Sequence, residues 1–328
     1  MNKKITIIVA LVFIMGLVGF TGVNAATYNQ PLYSTTQSTD ILNDAANQYN
    51  GGQVYYVDGN RLNNDGNGTS WATAYNTLAT AIATSNANIA LATNRAWAAR
   101  NIIYARGNRL TETLTVFPQK TDVIGVGSCD AFIGVGILGN HAPTNTYYGT
   151  RWINCNFFPA ANGDIMTITS SGSGLQFIGC RFLGEWGSYT APSAIDITGH
   201  PMAKIMDCSF EGAFSADVID IGGGDCSGMR ITGNTIIGGV NDGIVVSDAA
   251  ATVIGATGIG KIADNVIYVV ACTINDGNDN AFIITGNILI SDAATGTAPV
   301  NVDERWSAGN WFTDATRSGT LPVLDGAD

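Results

Sequence analysis

Between Trp152 and Leu289 the chain writes one short phrase six times: a large apolar residue, two spacers, a Cys or Asn, one further residue, then another large apolar residue. The anchors are Cys155, Cys180, Cys208, Asn234, Asn265 and Asn287, at steps of 25, 28, 26, 31 and 22 residues. Trp152, Phe177, Ile205, Ile231, Ile262 and Ile284 stand three residues before them, and Phe157, Phe182, Phe210, Ile236, Ile267 and Leu289 two residues after. Side chains alternate between faces in a strand, whereas a helix needs apolar spacings of three and four sustained over several turns, which these phrases lack. Each repeat therefore reads as strand, tight corner, strand. One such unit cannot bury its own apolar face, so units must stack, with strands pairing at about 4.8 Å and like residues falling over like. The expected product is an all-β solenoid with interior ladders.

The flanking sequence divides around this repeat. Lys3 and Lys4 precede an uncharged apolar run from Ile5 to Phe20 and the small exit Val23-Asn24-Ala25, the pattern of a secretory signal peptide over residues 1–25. The run is shorter than the roughly 20 residues of a membrane anchor, so the expectation is export to the extracellular space, the cell surface or the periplasm, without stable membrane insertion after cleavage. Residues 26–53 read as a flexible lead. Residues 54–100 read as an N-terminal cap, with a strand at Val54-Tyr55-Tyr56-Val57, an Asp/Asn/Gly loop, and Ser70 as N-cap of an Ala-rich helix carrying Leu78, Ala81 and Ile82. The solenoid is expected over 101–303, with first rungs at Ile102-Ile103-Tyr104, Leu114-Thr115-Val116 and Val123 to Val126. A tail over 304–328, with Trp306, Trp311 and Phe312, is expected to cap the far end. Only 12% of residues are charged and the net charge is −11, which disfavours a nucleic-acid partner because phosphate neutralisation needs a basic face.

The segments GTSWATAYNTLATAI (68–82), NIIYARG (101–107), ETLTV (112–116) and DVIGVG (122–127), followed by the Asn-bearing coils, resemble the right-handed parallel β-helix proteins of the pectate-lyase-like superfamily. The resemblance spans roughly Tyr55 to Ala298. It implies a right-handed parallel β-helix with an N-terminal capping α-helix. It also implies a substrate cleft on the exterior of one strand, and the homotrimers that β-helices often form. The superfamily holds polysaccharide lyases, glycoside hydrolases, esterases, tailspikes, adhesins and inert modules, so function has to be argued from the site.

Buried Asn at a corner between strands satisfies backbone groups that the turn leaves unpaired, which assigns Asn234, Asn265 and Asn287 a structural role. Cys155, Cys180 and Cys208 occupy the same row. Stacked side chains point in parallel, a poor match for disulfide geometry, so these three are expected free and buried; the pairing of Cys129, Cys226 and Cys272 stays open. No close Cys pair exists and the only histidines are His141 and His200, which argues against zinc. Four residues before the anchors runs a second row, Arg151, Gln176, Lys204, Arg230 and Lys261. It reads either as a solvated face balanced by Asp207 and Asp264 or as a cationic stripe that docks an anionic glycan.

Earlier in each coil lies another strand, Met166-Thr167-Ile168, Ile195-Asp196-Ile197, Ile219-Asp220-Ile221 and Ile244-Val245-Val246. With the Ile, Met and Val ends turned inward, Asp196 and Asp220 fall outward on adjacent rungs. Two carboxylates about 5 Å apart raise one pKa and separate an acid from a base or nucleophile, the spacing of retaining glycosidases; solvated strand Asp is the plain alternative. Glu185, Trp186 and Tyr189 in one loop, Glu211 and Phe214 in the next, and His200 in a turn are candidate substrate-binding residues, the aromatics offering flat faces to sugar rings. A shield over the sheet, and for His200 a turn role, are the plain readings. Asp58, Asn60, Asn64 and Asp65, and again Asn275, Asp276 and Asp279, supply oxygens compatible with structural Ca²⁺, though neither completes a calcium loop; no other cofactor is expected. Measured against the family, the chain lacks the richer Asp, His and Arg-x-Lys set of polygalacturonase-like hydrolases and the Ca²⁺ carboxylates with a catalytic Arg of pectate lyases. The expected function is a secreted β-helix that binds polysaccharide, with cleavage by hydrolase or lyase chemistry left open. The alternative is a non-catalytic adhesion module or a structural shaft on an envelope or virion-like particle.

Overall fold

The computed structural model describes residues 52–91, 99–107, 109–129, 132–239, 241–246, 251–252, 254–255, 258–275, 282–291, 300–301 and 307–314. The expected signal peptide, most of the lead segment, Asp276, Asp279 and Trp306 lie outside them.

Three parallel sheets line the solenoid. Sheet A has ten strands, from Val54–Asp58 to Ser307–Ala308; sheet B has nine, from Leu110–Thr111 to Trp311–Asp314; sheet C has six, from Met166–Ile168 to Val300–Asn301. A full coil passes once through each, as in Gln176–Ile178, Arg181–Leu183 and Ile195–Ile197. The chain is a parallel β-helix, and the apolar rows meet in one buried cluster running from Tyr55 to Leu289. Phe157, Phe182 and Phe210 stack in that interior at centroid separations of 5.0 and 4.9 Å, close to the rung spacing.

The corner between sheets A and B explains why the phrase has two spacers. The residue just before each anchor is Asn154, Gly179, Asp207, Gly233, Asp264 or Gly286, and every one has a left-handed φ between 53° and 71°. Gly occupies this region freely, and Asn and Asp are the side-chain-bearing residues that visit it most readily. The alternation of Asp and Gly is itself packing: the Asp207 carboxylate lies where a Cβ on Gly233 would stand, and Asp264 does the same at Gly286. A second left-handed row, Lys120, Gly149, Gly174, Met202 and Gly228, turns the chain into sheet A.

The anchors close the first corner from inside. Asn265 Oδ1 accepts from the Asn234 N–H at 2.9 Å while its Nδ2 donates to the Ile231 carbonyl at 3.0 Å. Asn287 repeats this against Asn265 and Ile262. Asn310 adds a further rung against Asn287 and Ile284. Residues 307–314 thus contribute a pair of strands to sheets A and B, where the sequence suggested a cap; the signal was hidden because Ser307 replaces the expected apolar residue. Cys180 Sγ donates to the Trp152 carbonyl at 3.3 Å in place of an amide. All six cysteines are buried, and Cys155, Cys180, Cys208 and Cys226 are free thiols; burial pushes the Cys155 and Cys208 thiols well above their ordinary range.

Two local expectations are corrected. Ser70 caps only a 3-10 turn, Trp71–Thr73. The helix proper, α1, runs Leu78–Leu91, and its first N–H groups are held by Glu112, with Leu78 N at 2.7 Å from Oε1 and Ala79 N at 2.9 Å from Oε2. A carboxylate at a helix N-terminus satisfies orphan donors, and here it comes from far along the chain, where no local motif could announce it. Leu78, Ala81 and Ile82 face the solenoid interior as expected. Leu114-Thr115-Val116 is a turn rather than a rung: the Leu114 N–H bonds to His141 Nδ1 at 3.1 Å, which takes it out of any strand ladder.

Candidate functional site

Sheet C carries the acidic pair. Thr167, Asp196, Asp220 and Val245 are in direct register on successive strands, so Asp196 and Asp220 project from neighbouring rungs, about 4.8 Å apart along the axis. The strands are short and β-branched, with Ile195, Ile197, Ile219 and Ile221 fully buried, and that inward anchoring fixes the outward direction of the aspartate between each pair. Burial, with Asp220 and Asp164 adding repulsion, pushes the Asp196 carboxyl up from 3.8 to about 6. Asp220 Oδ1 is buried without a hydrogen-bond partner, an unusual state for a carboxylate oxygen.

Asp164 and Asp217 complete the constellation and were missed from sequence. Asp164 Oδ1 accepts from the Ser193 N–H at 3.0 Å and Asp217 Oδ1 from the Asp242 N–H at 3.2 Å, a turn ladder at the edge of sheet C. Burial pushes both carboxyls up, with charge on Asp220 adding to each. Their signal was present: Asp164, Asp217 and Asp242 each stand two residues before a sheet C strand.

The expected substrate-binding residues separate. Glu185–Trp186 and Tyr189–Thr190 form a small antiparallel hairpin between sheets B and C on the coil of Asp196. Glu185 is exposed and Tyr189 is 42% exposed, so both can meet a ligand. Trp186 is packed, with the Arg109 guanidinium 4.2 Å over its ring and the Phe158 ring at 4.9 Å; it holds the hairpin rather than presenting a free face. The hairpin's exit is tied to the acidic cluster through the Ser193 bond to Asp164.

Glu211, Phe214 and His200 do not join this group. Glu211 lies on sheet B, where it accepts from Arg181 Nε at 3.0 Å and from Ser209 Oγ at 2.5 Å; the Arg181 guanidinium holds its carboxyl down. The strand runs on through a register irregularity between Glu211 and Phe214, which sends Phe214 into the core at 0% exposure. His200 is also 0% exposed. The Thr198 carbonyl at 2.8 Å requires a proton on Nδ1, leaving Nε2 to accept from the Tyr147 hydroxyl at 2.9 Å. Burial pushes the His200 pKa down, so it is a neutral structural imidazole, in line with its plain reading.

Of the oxygens considered for Ca²⁺, those of Asp58, Asp65 and Asn64 meet protein donors. Asp58 accepts from Arg106 Nε at 3.0 Å and Nη2 at 2.8 Å, Asp65 pairs with Arg61, and Asn64 bridges Thr80 and Asn76. Asn275 donates to Asp242. Among the described residues no group of three or more His, Cys, Asp or Glu side chains is placed to hold a metal ion.

No protein-family model matches the chain, and no curated protein matches it. Among solved structures it is similar to the crystal structure of pectate lyase Pel9A, at 14% identity and a TM-score of 0.43, covering 82% of this chain and 78% of that one.

Proposed function

We propose that this protein is a secreted polysaccharide-binding β-helix whose sheet C face hydrolyses a glycosidic bond with Asp196 and Asp220. The observation that carries the reading is the pair itself: two in-register carboxylates, one with its pKa raised to about 6 and the other with a buried oxygen that has no partner. Groups so placed divide the work. Protonated Asp196 donates to the glycosidic oxygen as general acid while Asp220 attacks the anomeric carbon as nucleophile, and the glycosyl-enzyme so formed is hydrolysed by a water that Asp196 then deprotonates. Rung spacing fits the shorter of the two carboxylate separations known for such enzymes, and therefore retention of configuration. Glu185 and Tyr189 on the adjoining hairpin supply a polar and an aromatic contact for a neighbouring sugar. Export through residues 1–25 puts this chemistry at the cell surface or beyond, and no helix among the described residues is long and apolar enough to cross a membrane.

The test is reducing-end release and anomeric configuration across a panel of neutral and acidic glycans, with Asp196→Asn and Asp220→Asn beside the unaltered chain. Loss of turnover in both variants supports the assignment; turnover that survives both overturns it.

A non-catalytic role as adhesin or shaft has one observation of its own. On the outer face of sheet B, Val266, Ile288 and Trp311 are in register and 37%, 46% and 78% exposed, an apolar strip of the kind that meets other protein surfaces. This reading expects a homotrimer and no turnover, which mass determination in solution and the glycan panel address together.

A further inference from the structure

The outer face of sheet A forms a groove of about 730 Å³, bounded by the two left-handed corners. Along it Gln176, Lys204, Arg230 and Lys261 lie in direct register on successive strands. Arg151 heads the same row but is held by Asp122, with its Nε 2.6 Å from Oδ1, and Arg100 lies against the same carboxylate. The side chains of Lys204, Arg230 and Lys261 make no hydrogen bond or ion pair with any described residue. Asp207 and Asp264, the anions that could balance them, lie over the glycines of the following coils, with Asp264 at the groove's margin. Like charges directly opposite one another in a sheet destabilise it, and nothing in the interior requires cations at these outward positions.

A second observation lies at the groove's edge. Gly149, Gly174 and Gly228 make the left-handed corner on their coils, but the coil of Lys204 uses Met202, at φ 58° and 41% exposed. A side chain in this conformation is unfavourable where glycine is free. Here it places an exposed thioether beside the cationic row, with Met206 and Ile259 also lining the groove.

We infer that this groove is a binding site, separate from the carboxylate pair on sheet C, for an extended acidic polysaccharide bearing one carboxylate or sulfate on each successive sugar. The rungs present one cation every 4.8 Å or so, comparable to the advance of one pyranose in an extended chain. Met202, Met206 and Ile259 meet the apolar C–H faces of the rings while Gln176 and Thr232 face their hydroxyls. A single-stranded nucleic acid is the other linear polyanion. The groove lining contains no aromatic side chain on which bases would stack.

The site is tested by calorimetric titration of the full chain with an oligomannuronate and a sulfated dextran oligosaccharide, beside a neutral cello-oligosaccharide and an oligothymidylate. Both acidic sugars are expected to bind, more weakly as salt rises, with little binding of the other two. The Lys204→Gln/Arg230→Gln/Lys261→Gln triple variant, all at surface positions, is expected to lose at least about tenfold in affinity with an unchanged or higher Tm. Asp196→Asn/Asp220→Asn should bind the acidic sugars as before, which keeps this site distinct from the proposed hydrolytic one. Equal binding of the neutral sugar, tighter binding of the oligothymidylate, or an unaffected triple variant overturns the inference. Binding of the acidic sugars by a chain that hydrolyses nothing would sustain it while ending the hydrolase reading.

Discussion

The outer faces of sheets A and C are built from the same coils, at the same rung spacing, and carry opposite charge. On sheet A the row reads Lys204, Arg230, Lys261 along an open groove; on sheet C it reads Asp196 and Asp220, drawn close to Asp164 and partly buried. The backbone supplies register to both, and hydration separates what the charges can do. Burial, aided by a carboxylate one rung away, lets Asp196 keep its proton to higher pH. Cations on a wet face act as a line of charge, suited to holding a polymer and poorly suited to moving a proton. The periodicity of the fold therefore fixes where groups stand, while their burial sets how strongly their charges interact.

The contrast breaks most visibly at Asp220. Asp220→Asn is expected to lower turnover by about 10³-fold or more with no change in acidic-glycan affinity on sheet A; a parallel fall in both would mean that the faces are not independent. The unaltered chain sharpens the point through pH. If Asp196 is the acid, kcat/KM declines as pH rises through about 6, where its proton is lost.

An interior change should reach both faces together. Asn265→Ala leaves the Asn234 N–H and the Ile231 carbonyl without partners in the buried corner, a loss of about 2–4 kcal/mol measured by denaturant unfolding. Because the ladder holds successive coils in register, binding on sheet A and turnover on sheet C are expected to weaken in parallel. Asp196→Asn should do the reverse to stability. The folded protein holds the Asp196 proton up to about pH 6 and the unfolded chain releases it near 3.8, so native stability falls as pH climbs between those values. Removing the charge recovers about 1 kcal/mol above that window, since water partly screens the group, and nothing below it.

The interior was far more legible than the site. Six anchors and their apolar flanks repeat because each must fit the same buried place in every coil, so periodicity alone gave the sheets, the inward rows and the in-register aspartates. The left-handed spacer was equally readable as Asn, Gly, Asp, Gly, Asp, Gly, and it was overlooked. What resisted reading depends on contacts between distant residues. Nothing near Glu112 announces that it caps α1, and nothing near Arg109 announces that it covers Trp186. Phe214 and His200 look like loop residues, yet each is swallowed by the core, the first through a register irregularity and the second through a hydrogen bond to Tyr147. An outward row shows its register in the sequence but not its partners, which is why Arg151 reads like Lys204 there but is neutralised by Asp122 in space.

The smallest expected effect separates fold from function at one corner. Met202 occupies a left-handed position that its neighbours give to glycine, at a cost of about 1–2 kcal/mol for a side chain there, against which glycine's greater freedom in the unfolded chain sets about 0.5–1 kcal/mol. Met202→Gly should therefore leave the protein equally stable or more stable by up to about 1.5 kcal/mol, read as an unchanged or higher Tm. If the thioether serves only packing, nothing else follows, and the 41% exposure of Met202 argues that packing is not its main task. If it serves the groove, affinity for the acidic sugars falls a few-fold while the salt dependence, set by Lys204, Arg230 and Lys261, keeps its slope. Stability and binding moving in opposite directions at one residue would mark Met202 as a position where the corner gives up backbone comfort for a contact outside the fold.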